Sequence, residues 1–146
     1  MARRVLVIDD DTTVRTLARH VLEAEGWEVA EAVDGQRALT MLASHRPVVA
    51  VLDLMMPEVS GFDVLETRRR HRLAPETRFL VLTGRTEEGT WRRAFELGAD
   101  DFLAKPFDNA KLAARVDQLA TMSTGELSLR RRQEKERLDL LSGAGD

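Results

Sequence analysis

Residues 48–57 read VVAVLDLMMP, an apolar run with one carboxylate, Asp53, near its centre and a proline four residues further on. A carboxylate left buried and unpaired is strongly unfavourable. Either Asp53 lies at the lip of a strand and reaches solvent, or a charged group waits for it. The run itself is short, β-branched and apolar on both faces, which suits a strand of a parallel sheet covered on each side.

Four further runs resemble it: VLVI (Val5 to Ile8), WEVAEA (Trp27 to Ala32), FLVLT (Phe79 to Thr83) and DFLA (Asp101 to Ala104). The second carries Glu28 and Glu31 and reads as an edge strand. Between the runs the period changes. Val14, Leu17, Ala18, Val21 and Leu22 form a helical stripe, as do Trp91, Ala94, Phe95 and Gly98, and Leu112, Ala113, Val116, Leu119 and Ala120. Gly26 and Gly98 sit where helices end, Asp34-Gly35 marks a turn before a helix through Arg37 to Ala43, and Ser60-Gly61 leads into one through Val64 and Leu65. Strands and helices therefore alternate, which predicts a flavodoxin-like (βα)5 fold, a doubly wound five-stranded parallel sheet in the order 2-1-3-4-5 with right-handed crossovers.

The chain has 146 residues, no cysteine and a formal net charge of −3. That length predicts one domain over residues 1–121 with a charged helical tail or linker over 122–146. Disulfides and Cys-ligated zinc are excluded. No apolar stretch reaches the roughly 18 residues of a membrane span, and the start MARRVLVIDDD does not have the build of a signal peptide. A soluble, cytoplasmic protein without membrane insertion is expected. The slight acidity argues against a dedicated nucleic-acid binder.

In a parallel sheet the strand C-termini share one rim, and ligands bind there near the point where strand order reverses. The strands end in Asp9-Asp10-Asp11, Asp53, Thr83 and Lys105-Pro106. In the order 2-1-3-4-5, strand one neighbours strand three and brings Asp9 and Asp10 toward Asp53. Close carboxylates need a cation or a shared proton. Oxygen donors without His or Cys suit a hard ion, Mg²⁺ above all, and such an ion screens a phosphoryl group approaching a carboxylate nucleophile.

With VLVIDDD, VVAVLDLMMPEVSGFDVLE, FLVLTG and LGADDFLAKPF in this order, residues 3–121 resemble the receiver domain of two-component response regulators. The resemblance implies that Asp53 accepts a phosphoryl group from a histidine kinase or a histidine phosphotransfer protein. It implies that Asp10 binds Mg²⁺ directly, Asp9 mainly through water, and the backbone carbonyl of Met55 as a further ligand alongside Asp53. Thr83 and Lys105 would hold phosphoryl oxygens, the Lys105-Pro106 bond would be cis, and Phe102 would be the switch aromatic that follows Thr83. Such a protein is a switch rather than an enzyme, catalysing only its own phosphorylation and dephosphorylation. In the family the side chains two places after the acceptor and after the threonine border the attacking water; here they are Met55 and Arg85. Methionine neither orients nor deprotonates water, so phospho-Asp53 is expected to last minutes to hours rather than seconds.

Each residue also has a plainer reading. Asp9 and Asp10 could cap a helix, as Asp11 and Thr12 are expected to; Thr83 alone is an ordinary strand-end threonine. The rivals are an adaptor acting through its tail with the site unused, and a haloacid-dehalogenase-like phosphatase, which would need an acid where Met55 stands. His20, His45 and His71 read as surface residues. The run Arg68-Arg69-Arg70-His71-Arg72 reads as a solvated helix end rather than a nucleic-acid patch. In the tail, Ser123 to Glu126 fits a capping box, but RRRQEKER (Arg130 to Arg137) has seven charges in eight residues. Such a segment is a signalling linker toward a further domain, a pairing helix or a frayed end. Family members often dimerise through the fourth helix, fifth strand and fifth helix. Asp100, Asp101 and Arg115 fit that use, whereas Lys111 would face Arg92 and Arg93 and repel them.

Overall fold

The computed structural model of the chain describes residues 3–84 and 88–143. Its strands are β1 (Arg4–Ile8), β2 (Glu28–Ala32), β3 (Val49–Asp53), β4 (Arg78–Thr83) and β5 (Asp101–Ala104). They alternate with α1 (Thr12–Ala24), α2 (Gly35–His45), α3 (Gly61–His71), α4 (Glu88–Glu96) and α5 (Asn109–Thr121), and α6 (Thr124–Leu141) follows. All strand pairs are parallel, in the order β2-β1-β3-β4-β5. The flavodoxin-like fold expected from the alternation is thus the one observed, and β2 is an edge strand. Among the described residues no helix is long and apolar enough to cross a membrane.

Alternate side chains of each strand enter opposite cores, as the two-residue period requires. Val5, Val7, Val49, Val51, Leu80 and Leu82 pack with α1 and α5. Leu6, Ile8, Ala50, Leu52, Phe79 and Val81 pack with α2, α3 and α4. Asp11, Asp34, Ser60, Asp108 and Ser123 each accept a backbone N–H at a helix start, satisfying donors that the helix itself cannot.

Two expectations need correction. Leu17, read as part of the α1 stripe, is 40% exposed, whereas Arg15 is 9% exposed. The helix is turned because the Arg15 guanidinium has partners inside: the Asp9 carbonyl at 2.7 Å, Glu31 at 3.1 Å and Thr12 at 3.2 Å. Arg68 is likewise no solvated end. It donates to the carbonyls of Leu73, Ala74, Pro75 and Thr77 and lies over the Phe79 ring, tying down the turn between α3 and β4. Arg69 donates to the Glu96 carbonyl and Arg70 to Glu66.

The helix α6 lies against the outer side of α4 and β5. Its one buried side chain is Leu138, in the core cluster that holds Trp91 and Phe95, a burial that contributes about 1.5–3 kcal/mol. Leu127, near its start, packs half-buried against the core on the α1–α5 side, and the polar contacts are described below.

The chain must also bring α3 against the end of β3. A β-carbon on Gly61 would stand 2.4 Å from the Asp53 carbonyl oxygen and 2.7 Å from Leu54 Cα, so only glycine permits this approach. Gly61→Ala is expected to lower stability by about 1–3 kcal/mol, read as a lower urea midpoint at unchanged slope. Gly125→Ala, within α6 and with its added carbon meeting nothing closer than 3.8 Å, is the control and should leave the midpoint in place or raise it, because alanine is the better helix former.

Candidate functional site

The register of the sheet builds the site. Ile8 pairs with Leu52, Asp53 with Leu82, and Thr83 with Ala104. The next residue along β1 is therefore Asp9, level with Asp53, and the next along β5 is Lys105, whose N–H donates to the Thr83 carbonyl at 2.9 Å. Four strands deliver Asp9, Asp53, Thr83 and Lys105 to one rim because their apolar runs have matching lengths. Asp9 is fully buried, Asp53 is 3% exposed and Thr83 2% exposed, while Asp10 is exposed. Asp53 therefore does not reach solvent, and a charged group does wait for it.

That group is Lys105. Its Nζ lies 2.8 Å from Asp9 Oδ2 and 3.4 Å from Asp53 Oδ1. Asp53 Oδ1 also accepts the Met55 N–H at 3.1 Å, and Asp9 Oδ1 accepts that of Asp11 at 2.9 Å. Asp9 Oδ2 makes an ion pair with Lys105 but no aligned hydrogen bond, so it keeps unused acceptor capacity. One oxygen each from Asp9, Asp10 and Asp53 falls within 4.8 Å of the others. A hard cation fits this set of oxygen donors, with spare acceptor capacity and more negative than positive charge.

The electrostatics are strained. Burial, followed by repulsion from Asp9, pushes the Asp53 carboxyl up to about 6, although the Met55 N–H and Lys105 pull it down. Burial acts to lower Lys105, but Asp9 and Asp53 together more than offset it and hold its ammonium above the usual lysine range.

Around the site, Phe102 is half-buried on β5, its ring 5.0 Å from that of Trp91. The Met55 side chain is 49% exposed. Arg85, read from the sequence as bordering the attacking water, lies outside the described residues. The Lys105-Pro106 peptide is cis, and His20, His45 and His71 are all exposed. The sequence reading missed Arg15, which holds the Asp9 carbonyl while paired with Glu31, itself shared with Arg19 at 2.6 Å. An arginine on the inner face of α1 opposite a glutamate in β2 was the available signal.

The profile of the response regulator receiver domain matches residues 5–117. The chain belongs to that family. The receiver domain is 36% identical over 123 residues to the alkaline phosphatase synthesis transcriptional regulatory protein PhoP of Bacillus subtilis, covering 84% of this chain and 50% of that one. The chain spans about half the length of the curated relatives it matches. Among solved structures it is similar to the chemotaxis protein CheY4 of Vibrio cholerae, with a TM-score of 0.77 at 29% identity, covering 82% of this chain and 99% of that one. The BeF3-activated receiver domain of DrrB, from Thermotoga maritima, gives a TM-score of 0.75 at 30% identity, covering 84% and 100%.

The strain on Asp53 makes a test. A carboxyl raised from 3.8 to about 6 in the folded state holds a proton that the unfolded chain has released. The folded state then binds more protons in that window, so stability falls as pH rises from about 4 to about 6 and is flat beyond through this group. In chelator-treated buffer, Asp53→Asn is expected to abolish that fall and to be more stable than wild type at neutral pH, by about 1–3 kcal/mol. A lower urea midpoint for the variant at neutral pH would refute the assignment of strain.

Proposed function

We propose that this receiver domain is a phosphorylation-controlled switch of the cytoplasm, with Asp53 as the phosphoryl acceptor and a partner histidine kinase or histidine phosphotransfer protein as the donor. The observation that carries this reading is the placement of one buried carboxylate, Asp53, between an ammonium and two further carboxylates at the rim. In the transfer, an Asp53 carboxylate oxygen attacks phosphorus, a P–O bond forms, and the P–N bond to the partner's imidazole breaks with its electron pair returning to nitrogen. No histidine of the chain faces the site, so the donor comes from outside. Asp9, Asp10, Asp53 and the Met55 carbonyl would hold Mg²⁺, which supplies positive charge between the incoming phosphoryl oxygens and the carboxylates.

The chain's own residues do the rest. Lys105, bridging Asp9 and Asp53 at 2.8 and 3.4 Å, is placed to follow the new negative charge onto a phosphoryl oxygen. The hydroxyl of Thr83 sits on the next strand end and donates to another. The Met55 N–H steadies the attacking carboxylate at 3.1 Å. Two arrangements of these groups, loaded and unloaded, differ in their contacts, which is what a shift of population requires. The chain turns over no external substrate: the position where a phosphatase would need its general acid holds Met55. What the switch controls lies with partners or further domains; PhoP is a transcriptional regulatory protein by name.

Incubation with acetyl phosphate and Mg²⁺ is expected to label the wild-type chain once, and to leave Asp53→Asn unlabelled on intact-mass measurement. Equal labelling of both proteins refutes the site. The exposed thioether of Met55 supplies no base, so the acyl phosphate is expected to survive for minutes to hours. Met55→Asn, which can orient water, should shorten its lifetime on the order of tenfold; decay of the wild type within seconds would overturn the role given to Met55.

A further inference from the structure

The contacts of α6 converge on Ala99, Asp100 and Asp101, which lead into and begin β5, and on the aromatic side of α4. Arg130 pairs with Asp101 at 2.9 Å and Arg131 with Asp100 at 3.6 Å. Arg131 also donates to the carbonyls of Ala99 and Phe95, at 2.7 and 2.8 Å, and lies over the Phe95 ring. In return, Glu134 accepts the indole N–H of Trp91 at 2.6 Å, and Asp139 and the Leu138 carbonyl accept from Arg92. Asp100 and Asp101 at the start of β5 and Arg92 of α4 are thus met, sign for sign, by bases and acids of α6.

This docking is firm in register yet loosely filled. Leu138 is its one buried apolar anchor, and a cleft of about 260 Å³ remains between α6 and the Trp91–Phe102 pair. Directional polar contacts over an open cleft hold only while their partners stay in place.

Those partners lie on the chain segment and strand pair that lead to the rim. Phe102 follows Asp101, stacks on Trp91 at 5.0 Å, and pairs across the sheet with Val81, two residues before Thr83. Lys105 lies three residues beyond Phe102 on the same chain segment. The structure holds α6 seated while Lys105 bridges Asp9 and Asp53. Redirecting Lys105 and Thr83 toward a phosphoryl group therefore disturbs the strand ends that position Phe102, and Trp91 cannot stay both stacked on that ring and bonded to Glu134 if the ring moves. Packed groups of this kind shift between discrete arrangements rather than yielding gradually.

We propose that the α4–β5 face is a regulated docking surface whose resting occupant is α6 of the same chain, and that a phosphoryl group on Asp53 releases it. The released face, with its aromatic pair flanked by Asp100, Asp101 and Arg92, takes a helix carrying the complementary pattern of bases and acids. The inference rests on Asp53 being the phosphoryl acceptor. Coupling is reciprocal: if loading Asp53 weakens α6 docking by some factor, docked α6 weakens loading by the same factor.

The test uses the full chain with Mg²⁺ and beryllofluoride as phosphoryl analogue. A helix that is polar all round does not hold its structure once detached, so release is read as faster amide exchange over 124–141 and faster tryptic cleavage at Arg130 to Arg132. Both should rise at least about fivefold when beryllofluoride binds, the lower end of ordinary coupling. Leu138→Ala and, independently, Arg131→Ala should bind beryllofluoride more tightly than wild type by a similar factor. Trp91→Phe, which keeps a ring but removes the N–H, should bring the coupling toward one. Beryllofluoride bound with exchange over 124–141 unchanged overturns this inference and leaves Asp53 as acceptor. Failure of the full chain to bind beryllofluoride at Asp53 overturns both.

Discussion

A buried carboxylate beside a second one, with a single ammonium between them, is the constraint on which this structure turns. Asp53 and Asp9 are carried to the same level by strands whose own residues are almost entirely apolar, so neither can retreat into water without breaking the sheet. Lys105 reaches both but cannot neutralise both. Local structure follows from holding this arrangement in place. Gly61 has no side chain so that α3 can close against the Asp53 carbonyl. Arg15 gives up solvent to grip the Asp9 carbonyl, and Glu31 with Arg19 keeps that guanidinium from being a lone buried charge. A buried charge stripped of its partners is far more harmful than an exposed one, which is why so much of the region around the β1–α1 turn is polar yet ordered.

The same strain makes the site responsive. A group whose charged form is disfavoured in the folded state is stabilised by whatever relieves the imbalance, whether a proton or a cation. Each would shift Lys105 and Thr83 differently, because each leaves a different charge at Asp53. A rigid, fully compensated cluster would have no second arrangement to offer. The incomplete pairing of Asp9 Oδ2, buried yet without an aligned donor, is the local mark of that reserve.

The strands, their order and the residues at their ends were legible in the sequence, since apolar period and strand-end polarity report directly on a parallel sheet. β5 coincides with the run DFLA, and β3 extends one residue beyond the apolar stretch so that Asp53 is itself the last strand residue. Arginine was the residue least legible. Arg15, Arg68 and Arg78 all turn inward onto main-chain carbonyls, with Arg78 serving Leu119, Ala120 and Met122 at the end of α5. A long side chain can join groups distant along the chain, and no spacing in the sequence encodes where its tip arrives. For the same reason Leu17 stood as core on periodicity alone while Arg15 took the inner position. The acids Asp100 and Asp101, legible as surface pairing groups, are matched within the chain by Arg131, Arg130 and Arg115.

The α6 helix shows how a segment without an apolar stripe can still find one seat. Its arginines meet acids, carbonyls and an aromatic face around the C-terminal end of α4, where the helix dipole also favours positive charge. Arg131 does so through the carbonyls of Phe95 and Ala99 while its flat guanidinium covers the Phe95 ring. Leu138 and, in part, Leu127 pack inward, while Leu129, Leu140 and Leu141 remain 46%, 77% and 58% exposed, so the polar contacts decide much of the orientation of α6. An interface of that kind is specific without being deeply buried. Its contacts depend on angle as well as distance, so a small change in the aromatic pair beneath it removes several together, whereas an apolar seam of equal length would slide and survive.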